Sequence, residues 1–211
     1  MNENDISRVN VEDSGEGRGS LAGLVLAGGV GSRYGGPKAW AKLPDGRSFL
    51  EACVAVLLGG GANPVLATLP PGASEPGIEG LRALPLPEDG LDMFASLGLG
   101  LAVLVEERRW TRVAVLAVDH PLVRPETVAA LASASGPATV PVHRSRRGHP
   151  VLLDRPLAEE IVGGRRSGPT LRDILHEVGW KEVPVDDLGT IANCNTPDAL
   201  ARALATANRV R

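Results

Sequence analysis

A short apolar run, Leu21–Ala27, gives way to a stretch almost without side chains: Gly28, Gly29, Gly31, Gly35 and Gly36 fall within nine residues, with Lys38 just beyond. The apolar run has the length of a strand. Glycine removes the Cβ that shields backbone N–H groups, and a row of bare N–H donors after a strand is how proteins hold phosphate oxygens. Arg33 and Lys38 add a planar fork and a compact point charge to the same loop. Two common phosphate loops are excluded. Counted from Gly29, the third glycine of a dinucleotide fingerprint falls on Tyr34, and Pro37 and Ala39 break the Walker pattern around Lys38.

Downstream, strands and helices alternate. Ser48 with Glu51 three residues on predicts a capped helix over Phe49–Leu58, stopped by Gly59-Gly60-Gly61. Pro64–Leu69 reads as a second strand, followed by a proline- and glycine-rich loop and a short strand near Leu81–Leu86. Leu91–Arg108 has helical spacing with Asp92 as N-cap and is expected to be the longest helix. Arg112–Val118 is apolar almost throughout, as a strand buried on both faces of a parallel sheet must be. A helix from Arg124 to about Ser133, a strand over Ala138–His143, a basic turn over Arg144–Gly148 and a returning strand over His149–Leu153 follow. Helices over Pro156–Val162 and Thr170–Val178, a strand over Lys181–Val185, and a last helix opened by Thr196-Pro197 complete the chain. The expectation is α/β: one domain over residues 21–211, a mostly parallel sheet with helices on both faces. Residues 1–20 are polar and aperiodic and read as a disordered tail.

Composition narrows the partners. Net charge is −3, and without the first nineteen residues acids and bases balance, so no basic field recruits nucleic acid. Aromatic residues make up 3%, so the core must come from Leu, Val, Ala and Ile. No apolar run is long enough for a membrane span, and the N-terminus lacks the apolar region of a signal peptide. Cys53 and Cys194 have no metal-ligand spacing and form no disulfide framework, consistent with a cytoplasmic setting. Cys53, in an apolar helical run, reads as buried and inert. His176, Trp40, Trp110 and Trp180 read as packing or surface residues.

Asp119 ends the apolar strand, and in such a sheet ligands bind beyond the carboxyl ends of strands. A carboxylate there suits Mg²⁺, which takes one or two carboxylates plus phosphate oxygens and waters. A turn or capping role is the competing reading. Arg144, Arg146, Arg147 and His149 form one basic loop and Arg165, Arg166 and Arg172 another; these hold a phosphomonoester or are simply solvated.

Leu26-Ala-Gly-Gly-Val-Gly-Ser-Arg-Tyr-Gly-Gly-Pro-Lys38 resembles the L-A-[AG]-G-x-G-x-R-x-G-x-x-K signature of the MobA-like nucleotidyltransferases. Asp119-His-Pro-Leu resembles the family's D-x-P-[LF] block, and Asn193-Cys-Asn-Thr-Pro-Asp198 its N-x-N-T-P block. Asp92-Met-Phe-Ala-Ser96-Leu is similar to a G-M-x-x-S-L segment, and Arg147-Gly-His149-Pro-Val-Leu to R-G-H-P-V-L. The resemblance implies a Rossmann-like fold of the nucleotide-diphospho-sugar transferase type. It implies that Leu26, Ala27, Gly28, Gly29, Gly31, Ser32, Arg33, Lys38 and Ser96 bind an NTP, with Arg33, Lys38 and Asp119 catalytic. It implies Mg²⁺ on Asp119 and Asn193, with Asn195 either a ligand or a helix cap, and Arg147 and His149 toward a phosphorylated acceptor. The implied reaction moves an NMP to a molybdopterin-type cofactor and releases pyrophosphate. Gly28 leans toward GTP and the His149-Pro150 block toward CTP, with GTP the slightly favoured nucleotide. Transfer to a sugar phosphate or other phosphorylated metabolite, or nucleotide binding without turnover, are the alternatives.

Overall fold

The structure, a computed structural model, describes residues 20–29, 36–107 and 109–208. An eight-stranded mixed sheet is arranged around β1 (Leu21–Leu26), all of whose residues are buried. β1 lies between β2 (Ala62–Leu69) and β4 (Arg112–Ala117), parallel to both, and β2 pairs in parallel with β3 (Leu81–Pro85) at one edge. Beyond β4 the direction reverses. β7 (Val151–Asp154) runs antiparallel to β4 and to β5 (Ala138–His143). β5 carries β7 and the two-residue β6 (Arg146–Arg147) along one edge and the parallel β8 (Lys181–Pro184) along the other. The parallel half is the expected one; the antiparallel insertion follows from the returning strand after the basic turn.

Helices cover both faces. α1 (Phe49–Gly59), α3 (Pro125–Ala132) and α6 (Pro197–Asn208) pack with Leu21, Val25 and Ala27, while α2 (Met93–Val105), α4 (Arg155–Val162) and α5 (Leu171–Val178) pack with Ala22, Leu24 and Leu26. That alternation is the two-residue period of a strand with apolar neighbours on each side, which is why β1 reads as a continuous apolar run. Each fully buried leucine, Leu24 among them, is worth about 1.5–3 kcal/mol of transfer free energy.

Local chemistry sets the ends. The Ser48–Glu51 capping box forms in both directions. α2 is the longest described helix but spans Met93–Val105 rather than Leu91–Arg108. Asp92 accepts from Ala95 N at 2.7 Å and caps the start, while the Trp110 indole takes the Leu104 carbonyl at 2.7 Å near the other end. The returning strand starts at Val151 rather than His149, because Pro150 has no N–H and His149 N donates to Thr190 O instead, at 2.9 Å. Ser20, assigned to the tail by sequence, is fastened to the sheet: its carbonyl accepts from Thr111 N at 2.9 Å. The rest of the expected tail lies outside the described residues. No described helix is long and apolar enough to cross a membrane.

Candidate active site

β1 and β4 are neighbours in register, Leu26 opposite Ala117. The helix after β1 covers one face of the sheet and the helix before β4 covers the other, so a crevice opens beyond the carboxyl ends of this pair. β1 delivers Ala27, Gly28 and Gly29 to it, and β4 delivers Val118, Asp119 and His120. Leu26 and Ala27 are buried, and Ala27 N donates to Thr68 O at 3.1 Å. A Cβ on Gly28 would sit 2.2 Å from Leu86 Cδ1, whereas one on Gly29 would meet nothing within 4 Å among the described residues. Gly28 therefore lets the chain pass beneath Leu86. Gly31, Ser32 and Arg33 lie outside the described residues.

Lys38 begins a single 3-10 turn, Lys38–Trp40, and points into the crevice. Its Nζ lies 3.3 Å from Asp119 Oδ2 and also donates to Asn195 Oδ1. Asp119 is buried, and its other oxygen, Oδ1, has no hydrogen-bond partner among the described residues. His120 Nε2 lies 3.9 Å from that oxygen, too far to donate. An unpartnered buried carboxylate oxygen is costly. This one fits a hard divalent cation that completes its shell with phosphate oxygens and water. Among the described residues no cluster of three His, Cys, Asp or Glu side chains is placed to hold a metal ion.

A strap from Asp187 to Thr196 closes the crevice from below. Asp187, buried, accepts from Arg124 N, Thr127 Oγ1 and Gly189 N at 2.7–2.9 Å. Gly189 O meets His120 Nδ1 at 3.2 Å, Thr190 O accepts from His149 N, and Cys194 N donates to Asp119 O at 2.7 Å. The strap passes so close that a Cβ on Gly189 would fall 2.1 Å from Leu122 O, and one on Gly148 would fall 2.1 Å from Thr190 O. Asn195 reaches Lys38, whereas Asn193 is exposed. Thr196 caps α6 through Ala199 N at 3.2 Å, which leaves the Asn195 amide free of that task. Thr196 as the better cap is visible in the sequence and is the signal that favours Asn195; nothing in the sequence marks Asp187.

Two imidazoles lie against each other beneath the crevice, His120 and His149, with ring centres 4.6 Å apart and planes tilted by 43°. Burial pushes the His149 imidazole down to about 4, with neighbouring His120 acting in the same direction and Asp119 opposing. Burial also lowers His120, against Asp119. Both rings are therefore neutral near pH 7. Burial raises both cysteine thiols, Cys194 to about 11, so neither is a nucleophile. Ser96 is buried and its hydroxyl donates to Asp92 O in the preceding turn of α2, at 2.9 Å.

On the α2 and α5 side of the sheet, a cleft of about 1010 Å³ adjoins the site. Leu26, Leu97, Val115 and Val140 line it, and so do Arg147 and His149. Arg147 is exposed, with Nε 2.6 Å from Glu182 Oε1 and its guanidinium 4.6 Å from the Trp180 ring centre. Sequence reasoning grouped Arg147 with His149 by proximity; the structure puts both on one wall and adds Trp180, for which composition gave no sign.

Residues 23–182 match the MobA-like NTP transferase domain. A probable molybdenum cofactor guanylyltransferase of Mycobacterium avium (strain 104) is 32% identical over 204 residues, which cover 89% of this chain and 96% of that protein. Among solved structures, Rv0371c from Mycobacterium tuberculosis H37Rv has a TM-score of 0.72 at 24% identity, covering 90% of this chain and 99% of the other. The same protein in complex with manganese gives 0.67 at 23%, covering 89% and 99%. A nucleotidyl transferase from Methanothermobacter thermautotroptrophicus gives 0.73 at 20%, covering 91% and 99%. With a family match that takes in the Gly28 turn, Lys38 and Asp119, and a relative aligned over nearly its whole length, this chain belongs to the MobA-like NTP transferase family and is a nucleotidyltransferase.

Proposed function

We propose that the protein transfers a guanylyl group from GTP to the phosphate of a molybdopterin-type acceptor and releases pyrophosphate. One observation carries the chemistry. Lys38, Asp119 and Asn195 converge at the ends of β1 and β4 beside the glycine turn, with Asp119 Oδ1 buried and unpartnered. The Mycobacterium avium relative's name and Gly28 in the signature support the guanylyl acceptor pair. A phosphate oxygen of the acceptor attacks the α-phosphorus in line, forming a new P–O bond as the bond to the β-phosphate oxygen breaks. Backbone N–H groups after β1 and the Lys38 ammonium stabilise the charge that grows on the departing pyrophosphate. Asp119 would hold the divalent ion, with Asn195 better placed than Asn193 to join it. When bound, magnesium supplies charge neutralisation between the phosphates; the manganese complex of Rv0371c supports a divalent ion in this fold. Arg33 is assigned to the same phosphates.

The test is pyrophosphate release with each of GTP, CTP, ATP and UTP, with and without molybdopterin. Release that needs GTP, a divalent ion and molybdopterin together is expected. Asp119→Asn and Lys38→Ala should each lower kcat by on the order of 10²–10³ with the thermal midpoint retained. Undiminished turnover in both would overturn the assignment. CTP is the second reading, favoured by the Arg147–Leu152 block; turnover with CTP and not GTP would select it.

A further inference from the structure

Asp119 is followed in the chain by a histidine, and a tight turn brings the two side chains together. β4 ends at Ala117, and His120 N donates to Ala117 O at 3.0 Å. Consecutive side chains on a strand point to opposite faces; a turn lifts that rule, and His120 Nε2 comes within 3.9 Å of Asp119 Oδ1. The strap holds both residues there. Cys194 N donates to Asp119 O at 2.7 Å, and Gly189 O meets the His120 ring at Nδ1, at 3.2 Å.

The Gly189 contact settles which ring nitrogen is bare. A carbonyl oxygen only accepts, so Nδ1 carries the proton and Nε2 of the neutral ring keeps its lone pair. Nε2 and Asp119 Oδ1 are thus two acceptors side by side on residues only 5% and 7% exposed. Neither has a hydrogen-bond donor among the described residues. The Lys38 ammonium stands on the other carboxylate oxygen, Oδ2, and is shared with Asn195. Nucleotidyl transfer has no need of the imidazole as a base, because a phosphomonoester is already ionised near pH 7. A histidine that ligates a metal characteristically donates its second ring N–H to a carbonyl or carboxylate, which fixes its tautomer and its aim; Gly189 O fills that role for His120.

Resting on the transferase reading above, we propose that His120 Nε2 is a second protein ligand of the ion carried by Asp119 Oδ1, and that this nitrogen makes the site favour a first-row transition ion over Mg²⁺. Magnesium takes oxygen donors and keeps several waters, so it draws little from an imidazole. Ions later in the first transition row, such as Co²⁺ and Zn²⁺, gain from a nitrogen donor. Two protein donors leave the remaining positions to phosphate oxygens and water. Mg²⁺ is still held through Asp119; His120 adds the preference.

Pulsed EPR of Mn²⁺ on the purified protein, with inorganic tripolyphosphate to complete the shell, reads the ligand directly. A ¹⁴N coupling from a bonded nitrogen is expected, converted to a ¹⁵N coupling when the protein carries ¹⁵N-labelled histidine. It should vanish in His120→Asn, whose amide retains a donor for Gly189 O, and persist in His149→Gln. No histidine coupling, or a coupling lost in His149→Gln and kept in His120→Asn, overturns the assignment. The labelling arm and His149→Gln decide the matter even if His120→Asn fails to fold. His120→Asn should also shrink the preference for Co²⁺ over Mg²⁺, taken as the ratio of their Kd values, about tenfold, with the thermal midpoint of the metal-free protein retained. An unchanged ratio overturns the proposal. Histidine coupling in a protein that turns over no NTP sinks the transferase reading and leaves the ligand assignment standing; turnover without histidine coupling does the reverse.

Discussion

Lys38 holds two oxygens at once, Asp119 Oδ2 at 3.3 Å and Asn195 Oδ1, and this small constellation turns a glycine-rich turn into a site. Asn195→Ala is expected to lower kcat more than Asn193→Ala, because only Asn195 meets Lys38; pyrophosphate release measured on both variants checks the order. The two imidazoles make a separate, thermodynamic prediction. His149 sits near 4 in the native protein, against about 6.5 in an unfolded chain. Below 6.5 the unfolded state takes up a proton that the native state refuses until about 4. Stability is therefore full above 6.5 and falls as pH drops toward 4, by about 2 kcal/mol at pH 5 from His149. His120 is shifted in the same direction and adds to it. Urea midpoints at pH 7.5 and pH 5 should converge in His149→Gln relative to the unsubstituted protein.

At the scale of elements, the strap over residues 187–196 does what no single strand does. It is hooked to α3 through Asp187, runs beneath His120 and His149, and ends by setting Asn195 against Lys38. Its approach depends on Gly189, where a Cβ would meet the Leu122 backbone at 2.1 Å, a contact that no side-chain movement relieves. Gly189→Ala should cost ~1–3 kcal/mol of stability and lower turnover with it, read as a reduced urea midpoint and slower pyrophosphate release. The capped helix starts at Ser48 and Asp92 were legible in sequence, because a cap is written in three or four consecutive residues. The end of α2 was not: its last carbonyls are taken by the Trp110 indole, at Leu104, and by the Arg155 guanidinium, at Val105, both outside the helical pattern.

For the whole molecule, the sheet order places the glycine turn and Asp119 on adjacent strands whose facing ends, the register pair Leu26↔Ala117, lie 91 residues apart in the chain, with intervening β2 and β3 displaced to the far side. Ligand binding at that junction should stabilise the fold as a unit. GTP with Mg²⁺ at 100 times its Kd is expected to add about 2.7 kcal/mol, and chelation of the metal should reduce the gain; thermal midpoints with GTP alone, with Mg²⁺ alone and with both check this. By itself the sequence determined the α/β class, the bare turn after β1, and Lys38 and Asp119 as candidates, because glycine spacing, strand apolarity and helix caps are local properties of consecutive residues. Only the tertiary structure decided which asparagine reaches Lys38, that Asp119 Oδ1 is buried without a partner, and that Trp180 shares a cleft with Arg147. Those facts depend on pairings between distant strands and on a strap that crosses them, and distance along the chain carries no record of either.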